Sequence, residues 1–146
     1  EKIVKQIEDS GIEVLANYIY GLPGDTEETL NETFNLSLKL NTLGWNTYAA
    51  MALPGSQLYK DGLDNNIDLP EKYSEFSFHS YDTKPLSTET LKAERILQLR
   101  DQKFEKYFSN GNFLKKIEKK FGIDAVVNIK NMLKIKLKRK IIEERL

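Results

Sequence analysis

Two short apolar runs rich in β-forming residues, Glu13 to Tyr20 (E-V-L-A-N-Y-I-Y) and Asn46 to Ala52 (N-T-Y-A-A-M-A), lead into Leu-Pro-Gly sequences. Between them, from about Thr26 to Leu40, Leu30, Phe34 and Leu38 recur on one face of a helix. Asp25 is placed to cap that helix and Glu28 to close a capping box. Strand, helix and strand at this spacing make a βαβ unit with parallel strands and a right-handed crossover. Runs so nearly continuous in apolar residues are expected to be covered on both faces. The chain is therefore read as α/β.

Two parallel strands cannot stand alone, because each leaves an open edge and an uncovered apolar face. The rest of the sheet is expected on a segment outside these 146 residues. Glu1-Lys2-Ile3-Val4 also reads as mid-helix sequence without a capping residue, as in a piece excised from a larger protein. Such a piece is expected to cover its strand edges by forming a homodimer, swapping or aggregating.

The rest of the chain reads as mostly helical. Residues 2–9 look like a helix closed by Ser10-Gly11. A short turn of helix is expected from Ser56 to Asp61, then an irregular aromatic stretch from Leu63 to Leu86 containing Tyr73, Phe76, Phe78 and Tyr81. Ser87-x-Glu89 reads as the start of a long helix to about Ser109, stopped by Asn110-Gly111, and a shorter one covers Asn112 to Phe121. Asp124 is placed to cap a last helix with the stripe Val126, Ile129, Leu133, Leu137 and Ile141. The run Leu133 to Lys138 also alternates like a strand, but length and cap favour helix. These elements divide the chain into 1–62, 63–86 and 87–146.

There is no cysteine, which excludes disulfides, thiolate metal sites and a cysteine nucleophile within the chain. No apolar run is long enough for a membrane span and no signal peptide opens the chain, so the cytoplasm is the expected compartment. The net charge of zero hides an asymmetry: residues 1–112 hold 11 basic and 18 acidic groups, and residues 113–146 hold 11 and 4. A basic end can grip nucleic acid or anionic membrane. More commonly it is a solvated helix face docked on the chain's own acidic part.

Gly21-Leu22-Pro23-Gly24-Asp25-Thr26 and Leu53-Pro54-Gly55-Ser56 mark the C-terminal ends of the two strands, where α/β folds place their ligands. Glycine there admits a ligand to the backbone, proline fixes the loop, and the helix N-termini behind offer N–H groups to anionic atoms. Ile19 and Met51 could wall a flat ring. Tight βα turns and core side chains would explain the same residues. Other constellations are weaker. His79 lies among Ser77, Ser80 and Asp82, but one histidine in an aromatic segment is usually a surface or packing residue. Asp61, Asp64 and Asp68 lack the glycine and terminal glutamate of an EF-hand. Glu27 and Glu28 sit where the helix dipole favours acids regardless of function.

The string N-Y-I-Y-G-L-P-G-D-T at 17–26, with A-L-P-G-S-x-L-Y at 52–59, resembles the fifth and sixth strands of the radical S-adenosylmethionine (SAM) barrel, in particular the cobalamin-binding-domain subgroup. Tyr73-Ser74, Ser80-Tyr81, Lys84-Pro85-Leu86, Arg100-Asp101 with Phe104 and Tyr107-Phe108, Phe121-Gly122 and Leu137 to Lys140 are similar too, so the resemblance spans nearly the whole chain. It implies the last βα units of a partial TIM-type barrel followed by a helical C-terminal extension. It also implies that Asn17, Ile19, Gly21, Leu22, Pro23, Gly24, Met51, Leu53 and Pro54 border SAM, with Ile19 on the adenine and Gly21 giving backbone access. Asn17 departs from the family's glycine, and Ser56 replaces the usual threonine while keeping a hydroxyl.

The 4Fe–4S cluster of that family needs a CxxxCxxC loop, which would lie with the cobalamin domain on the missing N-terminal part of the same enzyme. The implied activity of the whole is cobalamin-dependent methyl transfer to a small-molecule substrate. The alternative is an anaerobic oxidative cyclisation, since the magnesium-protoporphyrin monomethyl ester cyclase group is similar. The piece alone is expected to be inactive. Rival readings from other classes are a helical protein-docking surface and a nucleic-acid binding module. The second would use Lys115, Lys116, Lys119, Lys120, Lys134, Lys136, Lys138, Arg139 and Lys140 on the basic C-terminal helix.

Overall fold

A computed structural model describes residues 1–144. Among them are seven α-helices, one 3₁₀ turn and a two-stranded parallel sheet, a mixed α/β arrangement. Strand β1 (Leu15–Tyr20) and strand β2 (Gly44–Ala49) are joined by helix α2 (Glu27–Leu40), giving the expected βαβ unit. Hydrogen bonds from Leu43 N to Val14 O (3.0 Å) and from Ala50 N to Tyr20 O (2.7 Å) bracket the pairing. Both strands advance together between these two bonds, as a parallel register requires.

Alternation decides the faces. Tyr20 on β1, with Trp45, Thr47 and Ala49 on β2, is buried, whereas Leu15, Asn17 and Ile19 on β1 and Asn46 on β2 are exposed. The expectation of strands covered on both faces is therefore corrected: Leu15 is 62% and Ile19 52% exposed. Strand β2 also starts earlier than expected, at Gly44, where an added Cβ would come within 2.6 Å of Leu15 Cδ2. No described helix is long and apolar enough to cross a membrane.

The chain forms two compact units whose segments interleave. The first comprises Glu1–Tyr18, Asn31–Thr47 and Asp101–Lys136. Its core is aromatic. Trp45 stacks on Tyr107 at 5.6 Å and meets Phe34 edge-on at 6.3 Å, with Phe113, Ile117 and Val126 completing the cluster. The Tyr107 hydroxyl donates to the Thr42 carbonyl at 2.8 Å, so this buried polar tip is satisfied.

Helix α1 (Lys2–Asp9) ends as expected, with Gly11 N bonded to Glu8 O and Ile12 N to Ile7 O. Helix α5 (Gly111–Phe121) starts on Asn110, whose side chain accepts from Asn112 N and Phe113 N, so Asn110 opens this helix as well as following the one before. Helix α6 (Ile123–Met132) has Gly122 at its cap, and Asp124 lies in its first turn instead of capping it. Basic side chains do turn onto the unit's own acids: Lys116 bonds Glu8 Oε1 and the Asn41 carbonyl at 2.8 Å, Lys120 pairs with Glu13, and Lys136 with Glu105.

The second unit comprises Ile19–Leu30, Tyr48–Arg100 and the chain from residue 137 onward. One core cluster joins Tyr20, Leu30, Ala49, Leu91, Ile96, Leu97 and Leu99, and a smaller one joins Ala52, Leu69 and Leu86. Helix α3 (Gln57–Asp64) is capped by Ser56, whose hydroxyl accepts from Tyr59 N at 3.1 Å. The aromatic stretch is irregular as expected, except for a 3₁₀ turn at Tyr73–Phe76.

Helix α4 (Ala93–Phe108) starts later than Ser87. The Ser87 hydroxyl accepts from Ala93 N, and the Thr88 hydroxyl accepts from Thr90 N and Leu91 N, so a hydroxyl-bonded lead-in replaces the first expected turns. The single last helix is likewise corrected. Helix α6 stops at Met132, residues 135–139 are irregular, and α7 is only Lys140–Glu143. The reason is Arg139, 2% exposed, whose guanidinium donates to the Phe78 and Ser80 carbonyls while Lys140 N donates to the Tyr81 carbonyl. Those bonds outweigh the helical stripe.

Candidate functional site

The two Leu-Pro-Gly sequences fold into the same turn. In the first, Asp25 N donates to Leu22 O at 2.9 Å and Gly24 has φ +85. In the second, Ser56 N donates to Leu53 O at 3.0 Å and Gly55 has φ +87. Proline at the second position and a positive-φ glycine at the third are the requirements of a type II turn. Both turns follow the strand ends, within the second unit.

The first turn is heavily tied down. Asp25 Oδ2 accepts from Gly21 N (2.9 Å) and Leu22 N (3.0 Å), and Oδ1 accepts from the Thr29 hydroxyl (3.0 Å). The Asp25 carbonyl accepts from both Thr88 and Thr90 hydroxyls at 3.0 Å, and Gly24 N donates to Glu89 Oε2 at 3.0 Å. Thr26 and Thr29 exchange bonds between backbone N–H and hydroxyl, so these two threonines form the capping box expected of Asp25 and Glu28. Asp25 instead staples the turn. Arg95 grips Glu27 with Nε to Oε2 at 3.0 Å and Nη2 to Oε1 at 2.6 Å.

At the first turn this wiring corrects the expectation of N–H groups open to an anion. The N–H groups of Gly21, Leu22, Gly24, Asp25 and Thr26 are all engaged within the protein. Acidic side chains gather there too. The Glu28 carboxyl is lowered below its ordinary range chiefly by the Thr26 hydroxyl. The Glu89 carboxyl is lowered by its own backbone N–H and then by that of Gly24. What the turns present outward is apolar: Ile19 is 52%, Leu22 40% and Leu53 45% exposed. Pro23, Gly24 and Pro54 are exposed beside them, whereas Gly21 and Met51 are buried. Asn17 belongs to the first unit, where its Oδ1 accepts from Asn46 Nδ2 at 3.2 Å.

Sequence reasoning missed Thr88, Glu89 and Thr90 as supports of the first turn. Their only signal was Ser87-x-Glu89, which looks like a helix start. Thr88 and Glu89 also edge a cleft of about 680 Å³ together with Pro23, Leu58 and Leu86. Replacing Asp25 by alanine should destabilise the second unit by about 1–3 kcal/mol, the penalty for removing the acceptor of the Gly21 and Leu22 N–H groups. Asp25→Asn, which keeps an acceptor oxygen, should recover part of that loss in urea denaturation.

The weaker constellations do not assemble. The Ser80 hydroxyl donates to the Ser74 carbonyl and Asp82 accepts from the Ser74 hydroxyl, so neither is aligned as a triad partner, and His79 is exposed. Asp61 accepts from Gln57 and Asp68 pairs with Lys84. No group of three or more potential metal ligands occurs among the described residues. Comparison with known protein families, with characterised proteins and with solved structures finds no significant match.

Proposed function

We propose that this chain supplies the SAM-adenosine wall of a radical SAM barrel, its two strands and paired turns being the last βα units of a partial TIM-type fold. The observation that carries the reading is the repetition of one type II turn at the ends of two adjacent parallel strands, with Ile19, Leu22 and Leu53 exposed around it. Purine rings bind on such apolar surface at strand C-termini. The exposed sheet face with Leu15 and Ile19 supports the same reading, because in a barrel that face would be turned inward.

Ile19 is the side chain to pack on the adenine, with Leu22 and Leu53 flanking it. The engaged N–H groups of the first turn leave recognition to shape and apolar contact there. SAM would supply the carbon radical chemistry once reduced. This chain does not fit the 4Fe–4S cluster that performs the reduction, since it has no cysteine. Cluster and cobalamin would belong to an N-terminal part of the same enzyme, and methyl transfer to a carbon substrate is the reaction read for the whole.

The test is the reading frame upstream of the codon for Glu1. A CxxxCxxC motif is expected there, and its absence overturns the proposal. In the longer protein, Ile19→Asp should weaken SAM binding, measured by calorimetry, about tenfold or more through the loss of one apolar contact. Unchanged affinity would remove Ile19 from the site.

A further inference from the structure

We propose that the cleft behind the second turn is a binding site for an alkylated ammonium cation. Pro54, Tyr59, Pro70, Glu71, Tyr73 and Phe76 line a cavity of about 490 Å³ within the second unit, of a size that suits a small ligand. Three aromatic rings, two prolines and a single carboxylate, with no basic side chain in the lining, form the chemistry that recognises a methylated ammonium. The ring faces attract positive charge, the apolar walls accept its methyl groups, and Glu71 supplies the counter-charge.

Tyr73 is the most exposed of these lining aromatic residues. Its side chain is 97% exposed, so it packs on almost nothing in the protein. Its backbone, by contrast, is fastened. Glu75 Oε2 accepts from Glu71 N and Lys72 N, Glu75 N donates to Lys72 O at 2.9 Å, and Lys84 N donates to Glu75 O at 2.9 Å. The Glu71 and Lys72 N–H groups hold the Glu75 carboxyl below its ordinary range, so the staple stays ionised near neutral pH. A large ring standing in solvent beside a cleft, on a turn whose backbone is fastened, is available to a partner that is not part of its own core. The site does not rest on the radical SAM reading and stands if that reading falls.

The test is saturation-transfer NMR on the chain with tetramethylammonium chloride, at ionic strength fixed with sodium chloride. Transfer to the N-methyl protons is expected, with tert-butanol, of similar bulk and no charge, receiving little. Tyr73→Ala removes no packing, and it should weaken the apparent affinity about two- to fivefold, while Tyr73→Phe keeps it. Glu71→Gln should weaken it to a similar extent. Absence of transfer, equal transfer to tert-butanol, or unchanged affinity in Tyr73→Ala overturns the proposal.

Discussion

Trp45→Ala should lower the stability of the first unit by about 3–5 kcal/mol, the range for removing a large buried aromatic. Trp45 is 2% exposed and touches rings from three other parts of the unit: Tyr18 on β1, Phe34 on α2, and Phe104 and Tyr107 on α4. The cavity would open at their common centre. Trp45→Phe tests a finer point. The indole Nε1 is buried without a hydrogen-bond partner in the structure, so its desolvation is uncompensated. Phenylalanine loses ring area but removes that penalty, and it should cost less than about 1.5 kcal/mol. Urea denaturation followed by circular dichroism separates the two. A Trp45→Phe loss as large as that of Trp45→Ala would overturn the expectation that removing the unpartnered nitrogen offsets part of the lost ring area.

Gly21→Ala should destabilise the second unit by about 2–5 kcal/mol. The backbone there has φ +83, which costs an L-residue roughly 1–2 kcal/mol. The added Cβ would sit 2.7 Å from Ile96 Cδ1, and Ile96 is fully buried in the cluster with Tyr20 and Leu30. Its side chain can yield only by disturbing that cluster, at a further 1–3 kcal/mol or so. Gly24→Ala is the matched control. Gly24 has almost the same φ, +85, but nothing lies within 4 Å of its added Cβ. Only the conformational part, about 1–2 kcal/mol, should appear there. Equal effects at the two glycines would show that the contact with Ile96 is soft.

The βαβ unit, the helix from Glu27 to Leu40 and the two Pro-Gly turns were legible because their signals are local. Alternation, a 3.6-residue period and the φ demands of proline and glycine act within a few residues, and no distant group competes with them. The same holds for Gly11 as a helix stop. Where the structure departs from these local signals, either a neighbouring side chain takes the role or a distant partner enters. Asp25 looks like a helix cap in sequence, but its carboxylate turns back to Gly21 and Leu22 because Thr26 and Thr29 cap the helix between themselves. Ser87-x-Glu89 looks like a helix start, yet Thr88, Glu89 and Thr90 bind the first turn instead.

The tail shows the strongest override. Leu133, Leu137 and Ile141 keep a helical stripe, but burying Arg139 against the Phe78 and Ser80 carbonyls holds that stretch out of a helix. The candidate site divides along the same line. The sequence by itself determined the turns and their apolar flanks, because a Pro-Gly pair after a strand admits few conformations. Only the tertiary structure decided that Ile19 faces outward while Met51 is buried, and that the turn's N–H groups are already used. Both depend on which face of the sheet the helices cover and on side chains more than sixty residues away in the chain, such as Glu89 bonded to Gly24. Burial and hydrogen-bond satisfaction are properties of the packed whole, so no local pattern could have carried them.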